Sequence, residues 1–305
     1  MHYRQTLASE VELEGVGVHS GVDVHLRLRP AAAGTGVVFH RTDRDGLSIP
    51  ATLDYAGPSS YATVLERGGE SVSTIEHLMA ALYALRVDDV IAELDGPEVP
   101  ILDGSSRPFV DAILRAGRRE HPVPREYLTI VRPLEVTKDE KTIAVYPYNE
   151  YRVTYAIDFE HASLGYQELT ASLWREDMFA DKLAPARTFT FERDVAALRR
   201  AGLALGGSLD NAIVVGDHGI INPGLRFEDE FVRHKMLDLT GDLSLLGYPL
   251  LGHVVAYRAG HEMHARLARR IRVARDSWHL GPWVDEVPAT TTPERTDREG
   301  GRSRP

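Results

Sequence analysis

Glu228-Asp229-Glu230-Phe231-Val232-Arg233-His234-Lys235-Met236-Leu237-Asp238-Leu239-Thr240-Gly241-Asp242 reads as one helix, with apolar residues interleaved among charges. His234 and Asp238 are four residues apart, so they project from one helix face, a turn apart. That face offers an imidazole nitrogen and a carboxylate oxygen to a single divalent metal. The ordinary alternative is a solvated ion pair on a helix surface. Far upstream, Ser73-Thr74-Ile75-Glu76-His77-Leu78 supplies a second histidine beside a glutamate. His77, His234 and Asp238, with Glu76 to spare, are the parts of a hydrolytic zinc site: three protein ligands, an open position for water, and a base. Against this, Ser73-x-x-Glu76 also matches a capping box, in which Glu76 merely bonds back to the Ser73 backbone.

Outward from these two helices the pattern is strand-rich. Val22–Arg29 alternates apolar and polar residues after the turn signal Ser20-Gly21, and Thr63–Leu65 and Asp89–Leu94 are further strand candidates. One helix spans about Thr74 to Leu85. A second follows Ser106, with Pro108 in its first turn and Gly117 just past its end. Glu120-His121-Pro122-Val123-Pro124-Arg125 reads as a linker, because two prolines in a polar stretch break both helix and strand. The pattern then restarts. Tyr127–Val131, Thr142–Tyr146 and Val153–Phe159 read as strands, Glu192–Arg200 and Glu228–Leu246 as helices, Val254–Tyr257 as a strand, and a last helix runs to about Arg272. Both halves thus run strands, helix, strand, helix, which predicts an α+β chain of two similar two-layer α/β sandwich domains. The boundaries expected are residues 1–122, 123–275 and a polar, disordered tail, 276–305.

With 305 residues, 43% hydrophobic and 26% charged, the chain suits a globular protein. Its formal net charge of -10 makes a nucleic-acid partner the wrong default. No cysteine is present, so any metal must use nitrogen and oxygen ligands, and disulfides and thiolate nucleophiles are excluded. The first residues carry no apolar signal-peptide core, and no run approaches the roughly 18 apolar residues of a membrane span. A cytoplasmic monomer without stable membrane insertion is the simplest expectation.

Three other stretches carry candidate chemistry. His261, in Ala259-Gly260-His261, stands at a strand-to-helix turn. Near the site it could donate a proton to a leaving amine; otherwise it is a surface histidine at a helix start. Asp242, on a similar face to His234, could keep His261 protonated. In Arg187-Thr188-Phe189-Thr190-Phe191, a threonine hydroxyl could bond a developing oxyanion, although ordinary loop packing explains it too. Leu203-Ala204-Leu205-Gly206-Gly207-Ser208-Leu209 lacks the ending of a nucleotide-triphosphate loop. Its small and apolar residues suit the lining of an apolar channel.

Five stretches together resemble one family: Gly15–Gly21, Ser73–Leu78, Pro100–Ser106, Ala184–Phe189 and Leu225–Asp238. They are similar, in the same order from about residue 3 to 272, to the zinc-dependent UDP-3-O-acyl-N-acetylglucosamine deacetylases, which take the committed step of lipid A synthesis in Gram-negative bacteria. The resemblance implies His77, His234 and Asp238 as zinc ligands, Glu76 as general base and His261 as general acid. It implies Thr188 at the tetrahedral intermediate, Asp242 in the His261 network and Lys235 at the substrate. Phe159 would stack near the uridine, and Phe189 and Gly207 would also touch the substrate. It also implies the site between two α+β domains, each with an inserted element, the second forming an acyl-chain passage from about Phe189 to Val215. A zinc amidase for another N-acylated sugar, a metal- or nucleotide-sugar-binding module and a metal-free structural protein are the competing functions.

Overall fold

Alternation makes Asp23–Pro30 a strand that buries Val24, Leu26 and Leu28 on one face. In the computed structural model, which describes residues 1–58 and 61–283, it joins an ordered series. That series runs β1 (Tyr3–Leu7), β2 (Val11–Val16), β3 (Asp23–Pro30), β4 (Val37–Arg41), β5 (Leu47–Pro50), β6 (Leu65–Arg67), β7 (Glu70–Val72), α1 (Glu76–Ala84), β8 (Val90–Leu94), α2 (Arg107–Ala116) and β9 (Arg118–Pro124). The second half continues with β10 (Tyr127–Ile130), β11 (Leu134–Lys138), β12 (Lys141–Tyr146), β13 (Tyr151–Phe159), β14 (Gly165–Ser172) and α3 (Glu176–Met178). After these come β15 (Phe189–Phe191), α4 (Glu192–Arg200), β16 (Ile213–Gly216), β17 (Gly219–Ile220), α5 (Glu230–Leu243), β18 (Leu250–Tyr257), α6 (His261–Val273) and β19 (Trp278–Gly281).

The first half folds around a five-stranded sheet in the order β2-β3-β8-β4-β5, antiparallel except where β4 meets β8. The second half is built on β18. β12 and β13 flank it on opposite edges, antiparallel and parallel respectively, and β10 pairs parallel at Leu250 and Leu251. Mixed sheets with helices laid on them make the chain α+β, as expected. α5 packs on β13 and β14, α6 on β11 and β12, and α2 on α1 and β2. Eight of the nine residues of α1 and twelve of the fourteen of α5 are buried. Helices buried all round belong in an interior, and these two lie against each other where the two halves meet. One continuous apolar cluster runs through both halves, from Leu26 and Phe39 to Tyr155 and Leu267. Between β14 and α5 a small parallel pair, β15 and β16, is joined through α4.

Two expectations need correction. The proposed linker 120–125 is mostly strand: β9 pairs antiparallel with β1, Thr6 facing Arg119 and Tyr3 facing Pro124. Prolines survive here because the ribbon has only two strands and its register shifts between Tyr3 and Gln5, the edge-and-bulge setting in which a missing donor is tolerated. The tail set to begin at 276 begins too early. β19 pairs with β10, Trp278 against Ile130, and Trp278 Nε1 donates to the Ile271 carbonyl at 2.7 Å. Residues 284–305 lie outside the described residues. No helix among the described residues is long and apolar enough to cross a membrane.

Candidate metal centre

The chain reaches α1 through Thr74, a non-glycine residue at φ +57. The capping box does not form. The N-cap position is Ile75, without a side-chain bond, and the Ser73 N–H donates to the Pro97 carbonyl at 3.0 Å. Glu76 is therefore free to turn inward, where its Oε2 accepts the Thr63 backbone N–H at 3.0 Å. α5 crosses this point closely. A Cβ on Gly241 would lie 2.1 Å from the Glu76 carbonyl oxygen, so only glycine lets the helices approach this far.

That crossing brings His77 to the His234–Asp238 face. The ligand atoms of the three lie within 4.8 Å of one another, all buried. Asp238 Oδ1 is 3.2 Å from His234 Nε2 and 3.6 Å from His77 Nε2. The two rings stand edge to face, with centroids 4.9 Å apart. His234 Nδ1 is 3.1 Å from the Ala186 carbonyl, which can only accept, so Nδ1 carries the proton and Nε2 presents a lone pair. Burial pushes the His234 pKa down to about 3, so the ring is neutral. Its lone pair then faces an anionic oxygen, and Asp238 Oδ1 is buried with no hydrogen-bond partner. Two lone pairs aimed at one point make a place that a cation can fill. Burial would raise the Asp238 carboxyl, but its surroundings, among them the Lys235 ammonium bonded to Oδ2 at 2.7 Å, outweigh it and hold the carboxyl well below the usual range. The solvated ion-pair alternative is thus removed for His234 and Asp238, each 1% exposed.

The other side of the site is a cluster of buried titratable groups. Burial raises the Glu76 pKa. His261 Nε2 stands 4.0 Å from Glu76 Oε1 and 3.9 Å from Asp238 Oδ2. Its Nδ1 is 2.7 Å from Asp242 Oδ2. Burial opposes protonation of His261, but Asp242, with Asp238 and Glu76, overcomes it and lifts the pKa to about 9. Asp242 Oδ2 also receives His264 Nδ1 at 2.7 Å, and Asp242 Oδ1 accepts the Thr63 hydroxyl. Thr63 and His264 were not singled out from the sequence. Thr63 pairs with Asp242 across 179 residues, which no local pattern encodes. His264 shares a helix face with His261, and that one-turn spacing was the available signal.

These groups open into a cavity of about 780 Å³ whose wall includes Glu76, His77, Thr188, Phe189, Gly207 and Lys235. Lys235 Nζ bonds Asp238 Oδ2 at 2.7 Å and lies 5.7 Å from the Phe189 ring centroid. Thr188 is fixed by its backbone, donating to Gly104 O and accepting from the Ile213 N–H, both at 2.8 Å. Val195, Ala196 and Leu198 of α4 and Leu209 also line this cavity. Gly206 lets that segment close on the first half, since a Cβ there would lie 2.4 Å from Gly17 O. Phe159 is not brought to the wall. It stands behind Phe189, edge to face at 5.9 Å, with Phe191 at 5.6 Å. Asp242 lies behind His261, in contact with it and not with the cavity.

The sequence pattern of the LpxC family, the UDP-3-O-acyl N-acetylglycosamine deacetylases, matches residues 4–273. The chain belongs to this family. It is 48% identical over 270 residues to the UDP-3-O-acyl-N-acetylglucosamine deacetylase of Myxococcus xanthus, covering 88% of this chain and 86% of that one. It is 44% identical to the proteins of that name from Syntrophotalea carbinolica (92% of this chain, 91% of that one) and Chromohalobacter salexigens (93% and 95%). The family is one of metalloenzymes, and the buried His, His, Asp group is where this chain can hold a metal.

Proposed function

We propose that the chain hydrolyses the N-acetyl group of UDP-3-O-(3-hydroxyacyl)-N-acetylglucosamine, releasing acetate and the free sugar amine in lipid A biosynthesis, with zinc held by His77, His234 and Asp238. The observation that carries the metal is the buried, unpartnered Asp238 Oδ1 facing a neutral His234 Nε2. A set of two imidazoles and one carboxylate without thiolate suits zinc with an open position. Zinc bound there supplies Lewis acidity for the amide carbonyl and makes water a stronger acid.

The chain's own groups do the rest. Glu76, with its affinity for protons raised by burial, takes a proton from the attacking water. The Thr188 hydroxyl donates to the oxyanion that develops on the carbonyl. His261, kept protonated by Asp242, gives its proton to the departing amine, and the C–N bond breaks. Lys235 holds Asp238 and faces the substrate across Phe189. The α4 side of the cavity takes the acyl chain, a reading its Val195, Ala196, Leu198 and Leu209 support. We further read the chain as two α+β domains meeting at the α1–α5 contact, the first ending near 124 and the second reaching 281. The test is acetate release from the acylated UDP-sugar with and without a chelator. Turnover lost on chelation and regained with zinc supports the reading; turnover indifferent to the chelator overturns the metal's part in it.

A further inference from the structure

We propose that Thr63 is a positioning residue that sets the general base and the general acid against each other through two separate bonds. The inference rests on the roles given above to Glu76 and His261. Thr63 lies in the segment leading into β6 and is 3% exposed. Its backbone is locked to the start of α1: the N–H donates to Glu76 Oε2 at 3.0 Å, and the carbonyl accepts from the Ile75 N–H. Its side chain reaches the other way, and the hydroxyl donates to Asp242 Oδ1. Asp242 Oδ2 is already taken by two imidazoles, His261 and His264, each at 2.7 Å. The Thr63 hydroxyl therefore occupies the oxygen they leave and fixes the rotation of the carboxylate. One residue thus holds the base by its main chain and the acid's partner by its side chain, across the seam between the two halves.

A hydroxyl donor to a buried carboxylate predicts a roughly 10- to 100-fold effect on its removal. Thr63→Val keeps the backbone bond to Glu76 and the side-chain volume but deletes the hydroxyl. We expect kcat to fall by about that factor with KM and bound metal unchanged, and Thr63→Ser to restore most of it. The deciding measurement is a double-mutant cycle. In a His261→Ala background, Thr63→Val should cost nothing further, because the hydroxyl acts only through Asp242 and His261. Equal losses from Thr63→Val with and without His261 would overturn the proposal, as would a loss confined to melting temperature. Should Thr63→Val fail to fold, Thr63→Ala enters the same cycle. Wild-type turnover in His261→Ala alone would instead sink the acid assignment on which the inference rests.

Discussion

Glu76 and His261 sit 4.0 Å apart, and the proposed reaction gives them opposite protonation needs. Glu76→Gln should lower kcat at least roughly 100-fold, and His261→Ala likewise, while both variants keep their metal. Assay of turnover beside metal content checks this. The pH profile follows from the same pair. Glu76 must be ionised to accept a proton, and burial raises its pKa, so activity falls as pH drops through that raised value. His261 must be protonated to donate, so activity falls as pH rises through about 9. A bell for kcat/KM results. Asp242→Asn removes the anion that lifts His261, so the alkaline limb should move to lower pH; an unmoved limb would show that another group sets it. At this scale the pairing of His234 with Asp238 was legible, because a helix puts residues four apart on one face. Thr63 was not, since its role depends on a contact across the whole fold. Phe159, matched only loosely in the sequence, packs against Phe189 and Phe191 outside the lining of the cavity.

Among the elements, the crossing of α1 and α5 decides whether a site exists. Gly241→Ala would push a methyl against the Glu76 carbonyl, with a clash against backbone that no side-chain rotation relieves. Overpacking of this kind costs about 1–3 kcal/mol, and here it would also separate His77 from Asp238. Urea unfolding should show the stability loss, and metal titration a weakened affinity larger than the stability change implies. Both helices were readable from periodicity, with ends within a few residues of those observed. β9 was misread because proline was weighed as a breaker without regard to where the strand would lie. A two-stranded ribbon leaves one side of each backbone outside the ladder, and nothing in 120–125 announces that β1 will be its partner. The late strand β19 was missed for a similar reason, since four residues paired to β10 carry little pattern of their own.

Taken whole, the molecule places the two helices that carry His77, His234 and Asp238 in opposite halves of the chain. Restarting strand–helix–strand–helix runs made the α+β class visible in the sequence, because each run must bury an apolar face of its own. Their mutual placement was not visible, since it rests on buried helices and a close glycine contact. The proposed ligands come from both halves, so the ion they would hold would also fasten the fold. An ion bound only by the folded chain stabilises it by about 4 kcal/mol at a concentration 1,000 times its Kd. Stripping the metal should therefore lower the melting temperature by several degrees, and each divalent ion should restore it in proportion to its affinity. Heat, with no sugar nucleotide in the tube, thereby ranks the ions this chain prefers.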